Sequence, residues 1–147
     1  MRRVVLDSSA LLASLDVSKP EASDAMRHLK GEFEAVAPTL VAWELGNVVH
    51  GRRRAEFGRD LDERLEVVSA LLEGVTLMPL EPGDLLAVGR DCEESGLTFY
   101  DAAFLELTAR DDEAVLVTED GALRAQALKR LGKGRARPLL GEPRAPG

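Results

Sequence analysis

The sequence has few of the residues on which disulfide-linked, zinc-binding or membrane-embedded proteins depend. Cys92 is the only cysteine among 147 residues, so an intramolecular disulfide is excluded, and no Cys/His spacing typical of a zinc site is present. No apolar run approaches the roughly 20 residues that span a bilayer. Asp7 interrupts the N-terminal apolar run, so we expect no signal peptide. These absences favour a cytoplasmic protein that makes no contact with membranes.

Aromatic residues and histidines are also scarce. Aromatic side chains make up 4% of the chain, so the predicted core consists of Leu, Val and Ala. The two histidines, His28 and His50, fall inside predicted helices at surface positions, which leaves no histidine as a general base. The chain has no glycine-rich phosphate loop either. The chemistry left to this chain is that of carboxylates and of any metal they hold.

Charge is unevenly distributed along the chain. The formal net charge is −7, yet residues 121–147 contain seven basic side chains against Glu142 alone. A second basic group, Arg52, Arg53 and Arg54, lies inside the acidic part of the chain. Both groups are compatible with contacts to phosphate or acidic peptide, and each taken separately fits a solvated helix face equally well. The overall acidity argues against sequence-independent coating of nucleic acid.

Short aliphatic runs alternate with amphipathic segments along the chain. We predict strands near residues 4–6, 34–37, 75–78 and 114–117, with an additional edge strand over residues 137–140. Strands of this length that alternate with helices predict a parallel sheet with helices on both faces. The predicted fold class is therefore α/β, a three-layer α/β/α sandwich with four or five mainly parallel strands. We expect one domain, residues 1–140, and a flexible C-terminal tail, residues 141–147.

Several helix boundaries are predicted from capping residues. Thr39 and Asp60 are expected to cap the N-termini of two helices. Gly74 is expected to follow the C-terminus of the helix that Asp60 begins. Asp101 is expected to open a further helix.

Four acidic side chains are expected at the carboxyl edge of this sheet. Asp7 directly follows the first strand, and Asp120 follows the fourth. Glu44 lies in the first two turns of the helix after the second strand, and Asp101 lies at a helix start. Because helices that follow strands in such a sandwich begin at the same edge, all four acids can converge on one crevice.

Four carboxylates gathered without a cation would repel one another and raise their pKa values. A divalent metal removes this conflict, and Mg²⁺ in particular takes oxygen ligands. Ser8 and Thr118 are expected to hold the ligands or their waters, and Asn47 shares a helix face with Glu44 and could orient it or a substrate phosphate. Taken alone, Asp7 is better explained as a helix N-cap, with Ser8 or Ser9 as the alternative cap. Only the other acids favour a functional role.

Four stretches together resemble the PIN domain family, and within it the VapC-like toxin ribonucleases of type II toxin–antitoxin pairs. The stretches are VLDSSALL at 5–12, PTLVAWELGNV at 38–48, LTFYDAAFL at 97–105 and LVTEDGAL at 116–123. Their order and spacing cover nearly the whole chain. The family resemblance rests on this combination.

The resemblance implies a metal-dependent endoribonuclease. Asp7, Glu44, Asp101 and Asp120 would form an acidic quartet that binds Mg²⁺ or Mn²⁺, with Thr118 as the hydroxyl that precedes the last acid. The reaction would be hydrolysis of RNA phosphodiester bonds by a metal-activated water. No quartet position is substituted, so nothing in the sequence suggests an inactive member.

The resemblance also implies partners. The expected partners are an RNA substrate, a cognate antitoxin protein and a second copy of the chain in a homodimer. Arg52, Arg53 and Arg54 would then contact RNA or receive the tail of the antitoxin.

Three other classes of protein are alternatives to this interpretation. A receiver domain would need a phosphoacceptor Asp after the third strand, where Met78 and Pro79 stand. A haloacid-dehalogenase-like phosphatase would need an acid two residues after Asp7, where Ser9 stands. The remaining alternative is a catalytically silent PIN-fold module that binds RNA or protein. Such a module predicts loss of quartet acids, and none is lost.

Overall fold

A computed structural model describes residues 1–51, 54, 57 and 60–141, and a five-stranded sheet runs through its centre. The strands are β1 (Arg3–Leu6), β2 (Glu34–Pro38), β3 (Val75–Met78), β4 (Val115–Val117) and β5 (Ala136–Arg137). Their order across the sheet is β3-β2-β1-β4-β5, and every neighbouring pair is parallel. The predicted parallel α/β sheet is confirmed.

Helices cover both faces of the sheet. Over the described ranges they are α1 (Ser8–Leu15), α2 (Pro20–Glu32), α3 (Leu40–His50), α4 (Leu61–Leu72), α5 (Asp84–Ser95), α6 (Phe99–Ala109) and α7 (Gly121–Leu131). The result is the three-layer α/β/α sandwich predicted from the sequence. Within those ranges no helix combines the length and apolar character needed to cross a membrane.

The order of the strands creates a crevice beside β1. The chain moves outward from β1 through β2 to β3 and then returns to place β4 on the other side of β1. Leu6 pairs with Val117 in that register, so Asp7 and Thr118 follow the paired strands side by side. In open α/β sheets, ligands bind at the carboxyl ends of the strands where the order reverses. The fold therefore places Asp7 at the expected binding edge.

A partly buried ionic network connects α6 to its neighbouring helices. Arg130 on α7 contacts Asp91 on α5 and lies 3.2 Å from the carboxylate of Glu106 on α6. Burial of Asp91 raises its pKa, and the guanidinium of Arg130 opposes that rise. This network stabilises the helix on which Asp101 is carried.

The capping predictions were partly correct. Asp60 accepts a bond from the third residue of α4, and Gly74 follows that helix with a φ of +77°, as predicted. Thr39 occupies the N-cap position of α3, as predicted, but its backbone is already helical and its side chain makes no capping bond. Asp101 does not open α6, since the hydroxyl of Thr98 caps the helix by accepting the Asp101 N–H at 3.2 Å.

The edge strand begins one residue earlier than predicted and is shorter. β5 covers Ala136–Arg137 rather than residues 137–140. Pro138 has no N–H to donate to the sheet, which explains why the strand ends there. Residues 142–147, most of the expected tail, lie outside the described residues.

Candidate active site

The carboxylate of Asp7 is held in place by three donors. Its Oδ1 accepts from the Ser9 hydroxyl at 2.7 Å and from the Ala10 N–H at 3.0 Å. Its Oδ2 accepts from the Thr118 hydroxyl at 2.5 Å. Only 3% of Asp7 is exposed, so burial raises its pKa, and the three hydrogen bonds oppose that rise. Asp7 is thus the N-cap of α1 and a rigidly oriented acid at the sheet edge.

Ser9 also belongs to the site, although the sequence predicts no role for it beyond that of a possible helix cap. Its hydroxyl donates to Asp7, accepts from the backbone N–H of Glu119 at 2.9 Å and lies 3.2 Å from the hydroxyl oxygen of Thr118. It therefore ties the end of β1 to the end of β4. A hydroxyl two residues after an acid at a helix start is the local signal that could have indicated this role.

Glu44 presents an oxygen that lacks a partner. Its Oε2 accepts a long hydrogen bond, 3.4 Å, from the Ser8 hydroxyl. Its Oε1 is buried and has no hydrogen-bond partner among the described residues. Burial raises the pKa of Glu44, and repulsion from Asp101 and Asp7 adds to that rise. A buried carboxylate oxygen without a donor is costly unless a cation or a ligand meets it.

Asp101 and Asp120 complete the acidic group from the other side. Burial raises the pKa of Asp101, and the charge of Asp120 raises it further. The Oδ1 of Asp120 accepts from the N–H groups of Ala122 and Leu123 at 2.9 and 3.1 Å, which caps α7. Asp120 therefore combines a structural role with its position beside Asp101.

The structure brings the four predicted acids together at one edge of the sheet. Electrostatic repulsion couples Asp7 to Asp101, Glu44 to both of them, and Asp101 to Asp120. Across residues 1–51, 54, 57 and 60–141, no three acidic, histidine or cysteine side chains form a group that could hold a metal ion as they stand. A cation would have to draw these carboxylates closer.

The donor set nevertheless fits a hard divalent cation. All four side chains offer carboxylate oxygens, the ligands that Mg²⁺ and Mn²⁺ prefer. Glu44 contributes an oxygen that no described group satisfies, and the pKa values of Asp7, Glu44 and Asp101 are raised by burial and by one another. Both features are relieved by a positive charge at the centre of the group.

The remaining predicted site residues differ in where they lie. Ser8 contacts Glu44, and Thr118 contacts Asp7, as described above. Asn47 is exposed and shares a cavity with Glu44. Arg54 is exposed near the end of α3, whereas Arg52 and Arg53 lie outside the described residues.

Comparisons of the sequence and of the fold with known proteins find similar ones. A sequence profile of the PIN domain family matches residues 4–129, a range that contains all four acids. The crystal structure of PAE2754 from Pyrobaculum aerophilum is similar, with a TM-score of 0.67 and 26% sequence identity over 94% of this chain and 90% of that chain. No curated protein sequence matches this chain.

Proposed function

The chain belongs to the PIN domain family, and on that premise we propose that it is a metal-dependent endoribonuclease that hydrolyses phosphodiester bonds of RNA. PIN domains are generally nucleases that use divalent metal ions. The observation that carries the proposal is the buried, unpartnered Oε1 of Glu44 inside a group of mutually repelling acids. A purely structural cluster would be expected to satisfy that oxygen with a donor.

Asp7, Glu44, Asp101 and Asp120 are the residues that would hold Mg²⁺ or Mn²⁺. When bound, such an ion polarises water and offsets negative charge on a phosphoryl group. The chain itself supplies orientation. Asp7 is fixed by three hydrogen bonds to its carboxylate, and the backbone N–H of Asp120 donates to Thr118 at 3.0 Å. Asp7 is therefore preorganised, and the other carboxylates would move toward it when an ion binds.

We further propose that the chain is the toxin of a toxin–antitoxin pair in the cytoplasm and acts as a homodimer. The four VapC-like stretches support the toxin assignment. The resemblance to the same proteins supports the homodimer. Arg52, Arg53 and Arg54 are candidates for the RNA or antitoxin contact.

The decisive experiment is cleavage of a labelled structured RNA pool by the purified protein with Mg²⁺, Mn²⁺ or EDTA. We expect metal-dependent cuts that vanish in Asp7→Asn and Asp101→Asn. Glu66→Gln, a change at an exposed acid on α4, is the matched control and is expected to cut normally. RNA that wild-type protein binds but never cuts in either metal would instead support the silent module.

A second measurement does not depend on cleavage. Any ion that binds only the folded state raises the free energy of unfolding by about 2.7 kcal/mol at 100 times its Kd. We expect Mg²⁺ to stabilise the wild type and the Glu66→Gln control in thermal unfolding. Asp101→Asn and Glu44→Gln should show a smaller rise or none. Equal stabilisation of all four proteins would place the ion elsewhere.

A further inference from the structure

The only Trp and the only Tyr of the chain are both exposed beside candidate acids. Trp43, with 78% exposure, directly precedes Glu44 on α3, and Tyr100, with 59% exposure, directly precedes Asp101 on α6. Exposing large aromatic rings forgoes the stabilisation that their burial would give. In a chain so poor in aromatic residues, this placement indicates a ligand for the rings.

The two rings line one cavity between α3 and α6. Its volume is about 640 Å³, and its lining residues are Leu40, Trp43, Glu44, Asn47, Val48 and Tyr100. Glu44 therefore belongs both to this cavity and to the acidic crevice. None of the lining side chains is cationic, so the cavity offers ring faces and an amide rather than an ion pair for a phosphate.

We propose that this cavity binds an unpaired base of the RNA substrate, stacked against Trp43 and Tyr100 next to the scissile phosphate. The proposal rests on the ribonuclease function and deepens it, because it assigns two aromatic side chains to the base beside the scissile phosphate. Every base has a π-face, and proteins bind unpaired RNA by stacking its bases on aromatic side chains. The amide of Asn47 carries both donors and an acceptor for the edge of such a base.

The carboxylate of Glu44, which lines this cavity, disfavours an apolar protein surface as its occupant. An apolar protein surface laid over the rings would bury that carboxylate further without supplying a donor, at a cost in desolvation. A base carries donors and acceptors at its edge that can meet the amide of Asn47, and it leaves the unpartnered oxygen of Glu44 free to hold the metal ion. Its sugar and phosphate stay in solvent or turn toward the acidic crevice.

Trp43 is itself the reporter for the first test, because the intrinsic tryptophan fluorescence of the protein comes from this side chain alone. The Asp7→Asn protein is titrated in Mg²⁺ with a short unstructured RNA, with its abasic counterpart and with a duplex of the same sequence. We expect saturable quenching by the unstructured RNA and little by the other two. Equal quenching by the abasic strand or the duplex, or no quenching at all, would overturn the base site.

The second test uses variants and the anisotropy of a labelled RNA. Trp43→Ala and Tyr100→Ala are expected to weaken binding about tenfold or more, since each stacked base is worth a factor of that order. Trp43→Phe and Tyr100→Phe keep a ring and should retain most of the affinity. Leu86→Ala is the matched control, because Leu86 is 63% exposed on α5 and does not line the cavity.

Two outcomes separate this proposal from the ribonuclease function. RNA that quenches Trp43 but is never cut by the wild type leaves the base site standing and overturns the nuclease. Cutting and binding that Trp43→Ala and Tyr100→Ala leave unchanged overturn the base site alone. Loss of binding that coincides with dissociation of a dimer in sedimentation also overturns it, because the rings then face a second copy of the chain.

Discussion

The hydroxyl of Thr118 donates a 2.5 Å hydrogen bond to Oδ2 of Asp7 and so joins residues 111 positions apart in the chain. The same hydroxyl oxygen accepts the backbone N–H of Asp120 at 3.0 Å. Thr118 is fully buried, and Asp7 is nearly so. One hydroxyl directly after β4 therefore contacts both the acid that follows β1 and the acid that follows β4.

Removing that hydroxyl should destabilise the protein. In Thr118→Val, Asp7 stays buried with one donor fewer, and the N–H of Asp120 loses its acceptor. Hydrogen bonds to charged groups are worth about 1.5–3 kcal/mol, so we expect a loss of that size in the free energy of urea unfolding at pH 7. Thr118→Ser keeps the hydroxyl and should stay close to the wild type. Equal stability of the Val and Ser variants would contradict this role.

The two roles of Asp120 can be separated by two substitutions. Asp120→Asn keeps an oxygen that can cap α7, whereas Asp120→Ala loses the cap at a cost of about 1 kcal/mol. Both variants should lose metal-dependent cleavage of RNA, but only the Ala variant should unfold at lower temperature. Thermal unfolding and the cleavage assay measure the two effects independently. Normal cleavage by the Asn variant would reduce Asp120 to a helix cap.

Asp101 should lower the stability of the metal-free protein at neutral pH. Its pKa is raised from the ordinary 3.8 by burial and then by Asp120, so the folded state binds its proton more tightly than the unfolded state does. A carboxyl of this kind stabilises the fold below its unfolded pKa, and that stability is lost as pH rises through the folded pKa. At pH 7 the charged carboxylate is therefore the unfavourable form.

Asp101→Asn is accordingly expected to raise the free energy of unfolding at pH 7 in EDTA by about 0.5–2 kcal/mol, a gain typical of substitutions at functional sites. The gain should shrink as pH falls through the raised folded pKa and vanish below 3.8, where the wild-type carboxyl becomes protonated in both states. Urea unfolding at several pH values measures it. Asp112→Asn, at an exposed position, should show no such gain. A gain that persists undiminished at pH 4 would point to a cause other than charge.

The sheet and the position of its acids could be predicted because their signals are local. An aliphatic run that ends in an acid and leads into a helix defines both the strand and the edge to which the acid belongs. The start of α6 could not be predicted as reliably. Thr98 and Asp101 are both residues that cap helices, they lie three positions apart, and only the backbone geometry shows that Thr98 has that role.

Only part of the contribution of Ser9 could be predicted, because its bond to Asp7 is local whereas its other partners are distant in sequence. Two of its three contacts are with Thr118 and the N–H of Glu119, which follow β4 on the other side of the crevice. The same holds for the cavity beside Glu44. Trp43 and Tyr100 come from separate helices, and no pattern within either helix indicates that both rings stay exposed on one cavity.

The pairing of β1 with β4 has a consequence during protein synthesis. A nascent chain that ends before Val115 already carries Asp7, Glu44 and Asp101, but it lacks Asp120 and β4, the strand that pairs with β1. Pairing between segments so distant in sequence is also slow to form. The acidic group is therefore incomplete until β4 and Asp120 have left the ribosome, and we expect the proposed nuclease activity only after that point.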